Sequence, residues 1–438
     1  MRDTYPPVSI QASRTLKKIA IATLGCKVNR YDSAVIHKLL EGAEFSFVPF
    51  GRKADIYIVN TCTVTQRADY QSRQLIRRYH RLNPDALIIV TGCYAQRAPE
   101  EIKDIPGVNH VVGIDEKERI VDFINGSSKK GAPLGITSDI TTFPEHTRAF
   151  LKVQDGCDSF CSYCVVPYAR GKSRSLEKEE TIRRISRLAE QGYREIVLTG
   201  IHLGSYGWDL IPPTTLLNLL RLIEDKGIPV RIRLSSIEPA EFDDGLIDLI
   251  SSSTTICNHL HIPLQSGADE VLKKMNRPYL SEFFKQLVKR LVSAIPDLNI
   301  GIDVIVGFPG ESHENFTNTL NLIEELPVGY LHVFPYSRRP GTPAADFPDQ
   351  VDSKTIKKRG KILRDLGIRK KEEFYRRFLG KRLSILIESR RDAGTDYLKG
   401  FSRNYIPVLI DVGNNMANEE IPIIVTKVQD GKVFGTLV

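Results

Sequence analysis

Three short runs near the start of the chain, KKIAIATLGC, ADIYIVNTC and ALIIVTGC, are almost continuously apolar, and each stops on a cysteine: Cys26, Cys62 and Cys93. Between them, RYDSAVIHKLLEGA and RADYQSRQLIRRYHRLN are longer and read as helices. Apolar runs of this length, rich in β-branched residues and separated by helices, predict parallel strands buried on both faces, a βαβ series. Open parallel sheets gather function outside the carboxyl ends of their strands. A lone cysteine at a strand end is as a rule a small buried hydrophobe. Three at the same topological position point instead to thiols converging on one crevice and sharing a metal.

Residues 126–148, GSSKKGAPLGITSDITTFPEHTR, are rich in Gly, Ser, Thr and Pro and lack periodicity, which predicts a boundary between domains. Alternation then resumes with AFLKVQDGC, REIVLTGIH, VRIRLSSIEP, NHLHIPLQSG, NIGIDVIVGFPGE and YLHVFPYSRRPG. Amphipathic segments such as EETIRRISRLAEQG and SEFFKQLVKRLVSAI lie between them. This pattern predicts a complete or partial (β/α) barrel whose site lies at the C-terminal face of its strands. The last region opens with a basic helical stretch from Lys354 to Arg382 and continues in short alternating runs, LSILIESRR, YLKGFSRNYIPVLID, EIPIIVTKVQDG and KVFGTLV. Those runs predict a small all-β domain, a barrel. The fold class is therefore α/β with a C-terminal β unit.

Composition narrows the chemistry. The 438 residues are too many for one ordinary core and suggest two or three domains. With 41% hydrophobic and 26% charged residues the chain reads as globular. No run approaches the roughly 18 apolar residues that span a bilayer. The opening MRDTYPPVSIQASRTLKK has no apolar core like that of an export signal, so a cytoplasmic location and no membrane partner are expected. A net charge of +8 permits an anionic partner. Seven cysteines, an odd number, argue against a disulfide framework and for metal or redox chemistry.

The densest chemistry is GCDSFCSYCVVPYARGKSRS, where Cys157, Cys161 and Cys164 follow C-x3-C-x2-C directly after the first strand of the second region. A structural zinc wants four ligands, and this loop offers three, so zinc would need a distant histidine or Cys257. An iron–sulfur cubane held by three thiolates keeps one iron open for a small ligand. Cys257, in TTICNHLHI, has no partner in sequence and is expected to be buried.

The loop, with Tyr163 just before its last cysteine, resembles the radical S-adenosylmethionine superfamily. Adding LGCKVN, NTCTVT, GCYAQ, DVIVGFPGE and VFPYSRRPGT makes nearly the whole chain similar to the methylthiotransferases of that superfamily. The resemblance implies an N-terminal methylthiotransferase domain over 16–130, a radical S-adenosylmethionine (β/α) domain over 146–373 and a TRAM-like RNA-binding β domain over 374–438. It also implies two [4Fe-4S] clusters, one on Cys157, Cys161 and Cys164 that binds S-adenosylmethionine and one on Cys26, Cys62 and Cys93 that supplies or carries sulfur. The net reaction in the family turns a C–H bond into C–S–CH3. By the same analogy Tyr163, Gly200, Ser235, Glu238 and Gly307 are candidate contacts to S-adenosylmethionine. GCKVN together with HVFPYSRRPGTPAA most resembles the branch that modifies N6-threonylcarbamoyladenosine at tRNA position 37. Other branches act on N6-isopentenyladenosine or on a ribosomal protein aspartate. The implied partners are a tRNA anticodon stem-loop, S-adenosylmethionine and an electron donor. The basic stretch, with Tyr397, Phe401 and Tyr405 interleaved with Lys399 and Arg403 beyond it, fits phosphates and stacked bases, or else a solvated helix and a barrel core.

Overall fold

A computed structural model describes residues 16–41, 45–126 and 147–438. Most of the expected boundary at 126–148 lies outside the described residues. The first unit is a five-stranded parallel sheet ordered β2-β1-β3-β4-β5, from β1 (Lys17–Thr23), β2 (Phe45–Phe47), β3 (Ile56–Thr61), β4 (Leu87–Gly92) and β5 (His110–Val111). Helices α1 (Lys27–Leu40), α2 (Gln66–Leu82) and α3 (Cys93–Arg97) follow β1, β3 and β4. The sheet is buried on both faces, Tyr57, Val59, Ile88 and Val90 packing one way and Ile56, Ile58 and Ile89 the other. That two-sided burial is why the runs read as continuously apolar. Register pairs Thr23 with Asn60 and Thr61 with Gly92, so the ends of β1, β3 and β4 stand side by side.

The second unit is a partial barrel of six parallel strands in two three-stranded sheets, β10-β9-β6 and β11-β12-β13. These are β6 (Arg148–Lys152), β9 (Glu195–Thr199), β10 (Arg231–Leu234), β11 (His259–His261), β12 (Asn299–Val306) and β13 (Tyr330–Pro335). The bridges Ile232 to Ile256 and Ser236 to His261 stitch the halves together. A short antiparallel ribbon, β7 (Gln154–Asp155) with β8 (Arg174–Ser175), brackets the cysteine loop. The largest core lies between the strands and the surrounding helices. On β13, Leu331 and Val333 pack into that core, while Tyr330, His332 and Phe334 alternate to the inside. Gly301 makes room for this arrangement, because a Cβ there would lie 1.9 Å from the Tyr330 ring.

The third unit is a closed barrel ordered β14-β15-β16-β18-β17, from β14 (Arg382–Arg391), β15 (Leu398–Ser402), β16 (Pro407–Ile410), β17 (Glu420–Gln429) and β18 (Lys432–Leu437). It docks on the base of the partial barrel through main-chain carbonyls: Arg231 donates to Phe401 O (2.7 Å) and Arg233 to Arg403 O (2.8 Å). Phe401 and Tyr405 lie at this seam, stacked 5.0 Å apart beneath Arg148, rather than in the barrel's core.

The expected basic helix runs over Ser353–Arg376, started by Asp352, whose carboxylate accepts from Lys354 N and Thr355 N. Several of its cations are tied up in the fold: Arg359 is buried on Glu311, Arg369 pairs with Glu324, and Lys370 donates to Leu326 O. The positive stripe is thinner than its sequence suggests. No described helix is long and apolar enough to cross a membrane.

Candidate active site between two cysteine triplets

Cys26 caps α1, Cys62 follows β3 directly, and Cys93 opens α3 directly after β4. The expected convergence is present, and two glycines make it sterically allowed. Gly25 has φ +102°, and a Cβ there would lie 2.8 Å from Cys62 Cβ. At Gly92, φ is +93° and a Cβ would lie 2.4 Å from both Asn60 Oδ1 and Thr61 O. Burial pushes the Cys62 thiol up to about 12, and burial likewise raises Cys93, against the opposing pull of Arg170. Neutral thiols in such a site are poor ligands, so a cation must displace their protons.

The second triplet lies on the loop after β7. Gly156 turns the chain at φ +76°, so close to Lys172 that a Cβ would lie 1.9 Å from its carbonyl oxygen. Cys157 Sγ sits 3.6 Å from His202 Nδ1, and Arg277 Nη1 donates to Cys161 Sγ at 3.3 Å. Burial works against ionisation of Cys157, but His202 and the Ser159 N–H outweigh it and pull the thiol below its ordinary range. His202 responds in kind: burial lowers it, yet Cys157 and Glu241 raise it to about 10. Cys164, without such a partner, is pushed up to about 12 by burial.

Residues adjoining each triplet in the chain line one cavity of about 210 Å³. Val64 and Thr65, just past Cys62, line one side, Tyr163 lines another, and Gln265, Asp303, Phe334 and Tyr336 complete the wall. The segment after β13 straps the first two units together here. Ser337 Oγ accepts from Gln66 N (2.9 Å), Arg339 donates to Thr63 Oγ1 (2.8 Å) and Asp69 (2.6 Å), and Arg97 donates to Pro340 O (2.8 Å).

A second link was not legible in the sequence. Arg170, fully buried, donates to Asn29 Oδ1 (2.6 Å), Asp32 (3.0 Å) and Asp155 (2.9 Å). Lys152 pairs with the same two carboxylates at 2.9 and 2.8 Å. The charge of Arg170 also stands close enough to Cys93 and Cys26 to act on the upstream triplet.

All seven cysteines are free thiols. A tetrahedral zinc with Zn–S near 2.3 Å needs sulfurs about 3.8 Å apart. Among the described residues, the one group of three potential ligands whose atoms lie within 4.8 Å of one another is His261, Asp303 and His332, not a cysteine triplet. Cys257 is fully buried beside Arg233, as expected of a structural residue.

Two family descriptions match: "Uncharacterized protein family UPF0004" over residues 18–113 and "Radical SAM superfamily" over 151–323. The threonylcarbamoyladenosine tRNA methylthiotransferase MtaB of Bacillus subtilis is 41% identical over 93% of this chain and 94% of its own length. The chain belongs to the radical S-adenosylmethionine methylthiotransferases. A tRNA-2-methylthio-N(6)-dimethylallyladenosine synthase of Pelotomaculum thermopropionicum is 31% identical over 96% of this chain and 98% of its own. Among solved structures, the radical S-adenosylmethionine methyltransferase TsrM of Kitasatospora setae, with cobalamin and a [4Fe-4S] cluster bound, shares the fold at TM-score 0.56 and 17% identity, covering 75% of this chain and 77% of that one.

Membership makes the methylthiotransferase an enzyme and implies a [4Fe-4S] cluster and S-adenosylmethionine. Of the candidate contacts to S-adenosylmethionine, Tyr163 lines the cavity, and Gly200 N lies 3.4 Å from Ser235 Oγ. Glu238 pairs with Arg277 and caps the turn Pro239–Glu241. Gly307 is occupied by the fold: its N–H donates to Glu311 Oε2 (2.7 Å), and a Cβ would lie 2.3 Å from Ile356 Cγ1.

Proposed function

We propose that this methylthiotransferase converts N6-threonylcarbamoyladenosine at tRNA position 37 to its 2-methylthio derivative. The observation that carries the reading is graded similarity: relatives bearing the threonylcarbamoyladenosine name are 38–41% identical, those bearing the dimethylallyladenosine name 31–33%. In this reading Cys157, Cys161 and Cys164 hold one [4Fe-4S] cluster and Cys26, Cys62 and Cys93 a second. Sulfurs spread wider than one zinc ion allows, on free thiols at both triplets, support cubanes over mononuclear sites. When bound, the clusters and S-adenosylmethionine supply the radical that removes a substrate hydrogen and the sulfur that replaces it.

The chain's own residues prepare that chemistry. His202 holds Cys157 toward thiolate, Arg277 stabilises charge on Cys161, and Arg170 does so at Cys93. Tyr163, with Ser235, Gly200 and Glu238 nearby on the strand ends, borders the space for S-adenosylmethionine. Tyr163 and Phe334 give the cavity an apolar wall, and a bound substrate that covers it would shield a reactive radical from side reactions. The seam between partial and closed barrels, with Phe401, Tyr405, Arg148 and Lys371, offers rings and cations to an anticodon stem-loop. In this reading residues 16–130, 146–373 and 374–438 are its three domains.

The test is to incubate anaerobically reconstituted protein with reductant, S-adenosylmethionine, a sulfide source and tRNA carrying threonylcarbamoyladenosine, then analyse nucleosides by mass spectrometry. A gain of CH2S on that nucleoside establishes the acceptor. Formation of 5′-deoxyadenosine with the nucleoside unchanged overturns the assignment and moves the search to dimethylallyladenosine and then to protein.

A further inference from the structure

A hydrogen-bonded chain of side chains that the cysteines do not use lies on the inner face of β11, β12 and β13. Tyr330 Oη sits 2.9 Å from His259 Nε2 and 3.1 Å from His261 Nδ1. His261 Nε2 lies 2.8 Å from Asp303 Oδ1, and the same oxygen is 3.1 Å from His332 Nδ1. The inner members are buried or half-buried, whereas the His332 side chain is 54% exposed. Its Nδ1 is held by Asp303, and its Nε2 has no hydrogen-bond partner among the described residues.

The placement of this chain gives it a direction. Asp303 lines the first cavity together with Val64, just past Cys62, and Tyr163, just before Cys164. His332, its register partner on the next strand, borders a second cavity of about 310 Å³ with Lys371, Tyr375 and Tyr405 at the seam with the closed barrel. A base seated in the first cavity with N6 toward Asp303 would have its exocyclic substituent beside His332 and, beyond it, Lys371. With Nδ1 on Asp303, His332 keeps Nε2 for a substrate group, and Lys371, lining the same cavity, supplies the positive charge that a carboxylate needs. A purely apolar substituent would strip water from His332 and Asp303 and return no hydrogen bond.

We infer that His332, oriented by Asp303, reads the carboxylate of the threonyl group on the substrate's N6, making it a specificity-determining residue. This rests on the acceptor proposed above. The two histidines already satisfy Asp303 Oδ1, so the cluster needs no metal ion to account for its closeness.

The reconstituted enzyme is titrated with three anticodon stem-loops bearing threonylcarbamoyladenosine, its neutral threonine-amide analogue, or plain adenosine at the modified position. Wild type is expected to bind the carboxylate form tenfold or more tighter than the amide. His332→Phe is expected to erase that preference while binding the plain-adenosine loop as wild type does. The amide comparison uses unaltered protein, so it holds even if a variant folds poorly. Equal wild-type affinity for carboxylate and amide overturns the inference, as does a preference that survives in His332→Phe. Absence of methylthiolated product from the carboxylate RNA removes the acceptor reading and this inference with it, whereas product without the preference removes the inference alone.

Discussion

Arg170 Nη2 lies 3.0 Å from Asp32 Oδ2, so a guanidinium six residues beyond Cys164 is anchored in the helix that begins just after Cys26. Together with Lys152 and the strap after β13, it ties the two triplets' units to each other, since its other nitrogen pairs with Asp155 at 2.9 Å. Burial alone would raise both carboxyls, but Lys117, Lys152 and Arg170 around Asp32, and Arg170 and Lys152 around Asp155, hold them well below the usual range. Replacing Arg170 by Met leaves Asp32 and Asp155 with only Lys117 and Lys152 and is expected to cost about 3 kcal/mol at neutral pH. The sign with pH follows from the depressed values: the stabilisation is full above the unfolded carboxyl value of about 3.9 and is lost as pH falls through the lower folded value. Denaturant melts of both proteins from pH 7 down to pH 2 should show a gap that holds to about pH 4 and narrows below it. A gap that is constant or below about 1 kcal/mol contradicts the network's role.

The two triplets are expected to differ in what they support. Alanine at Cys157, Cys161 or Cys164 should abolish cleavage of S-adenosylmethionine to 5′-deoxyadenosine. Alanine at Cys26, Cys62 or Cys93 should leave cleavage intact, stop sulfur insertion, and lower bound iron from about eight to about four atoms per chain. Product analysis with iron quantification separates these outcomes. Equal loss of cleavage in both sets refutes the division of labour.

Gly92 tests whether the convergence of strand ends is steric. Gly92→Ala places a methyl 2.4 Å from Thr61 O at φ +93°. Gly192→Ala is the control, with φ +89° and nothing within 4 Å. Strain at positive φ alone costs about 1 kcal/mol, so the control should lose about that much and keep its iron. Gly92→Ala should lose more and fail to load the upstream triplet. Comparable stability and iron in the two variants would mean that the strand ends tolerate separation.

The strands that end in cysteines were legible because burial on both faces writes itself as an unbroken apolar run, and the parallel register then places the run ends together. Arg170 and Asp32, 138 residues apart, were not, since a buried ion pair between units leaves no local period. Asp303 and His332 were hidden for a related reason: each sits inside a strand whose neighbours are apolar, and only the pairing of β12 with β13 joins them. The basic stretch misled in the other direction. Arg359 reads like its neighbours in sequence, yet it is buried on Glu311.

Glu195 gives the last expectation. It is fully buried at the base of the partial barrel, with Arg231 Nε 2.6 Å and Arg233 Nε 2.9 Å away, and those same guanidiniums hold the carbonyls of Phe401 and Arg403. Burial would raise its carboxyl, but Arg233 and Arg231 hold it far below the ordinary range. Glu195→Gln keeps the shape and removes the charge, leaving two buried cations to repel each other beneath the closed barrel. A loss of about 3–5 kcal/mol is expected, concentrated at the seam. Hydrogen exchange should therefore quicken first in the segment around Phe401 to Tyr405, while the parallel sheet of the first unit stays protected. Uniform quickening across all three units would place the role of Glu195 in the barrel as a whole and not in holding the closed barrel to it.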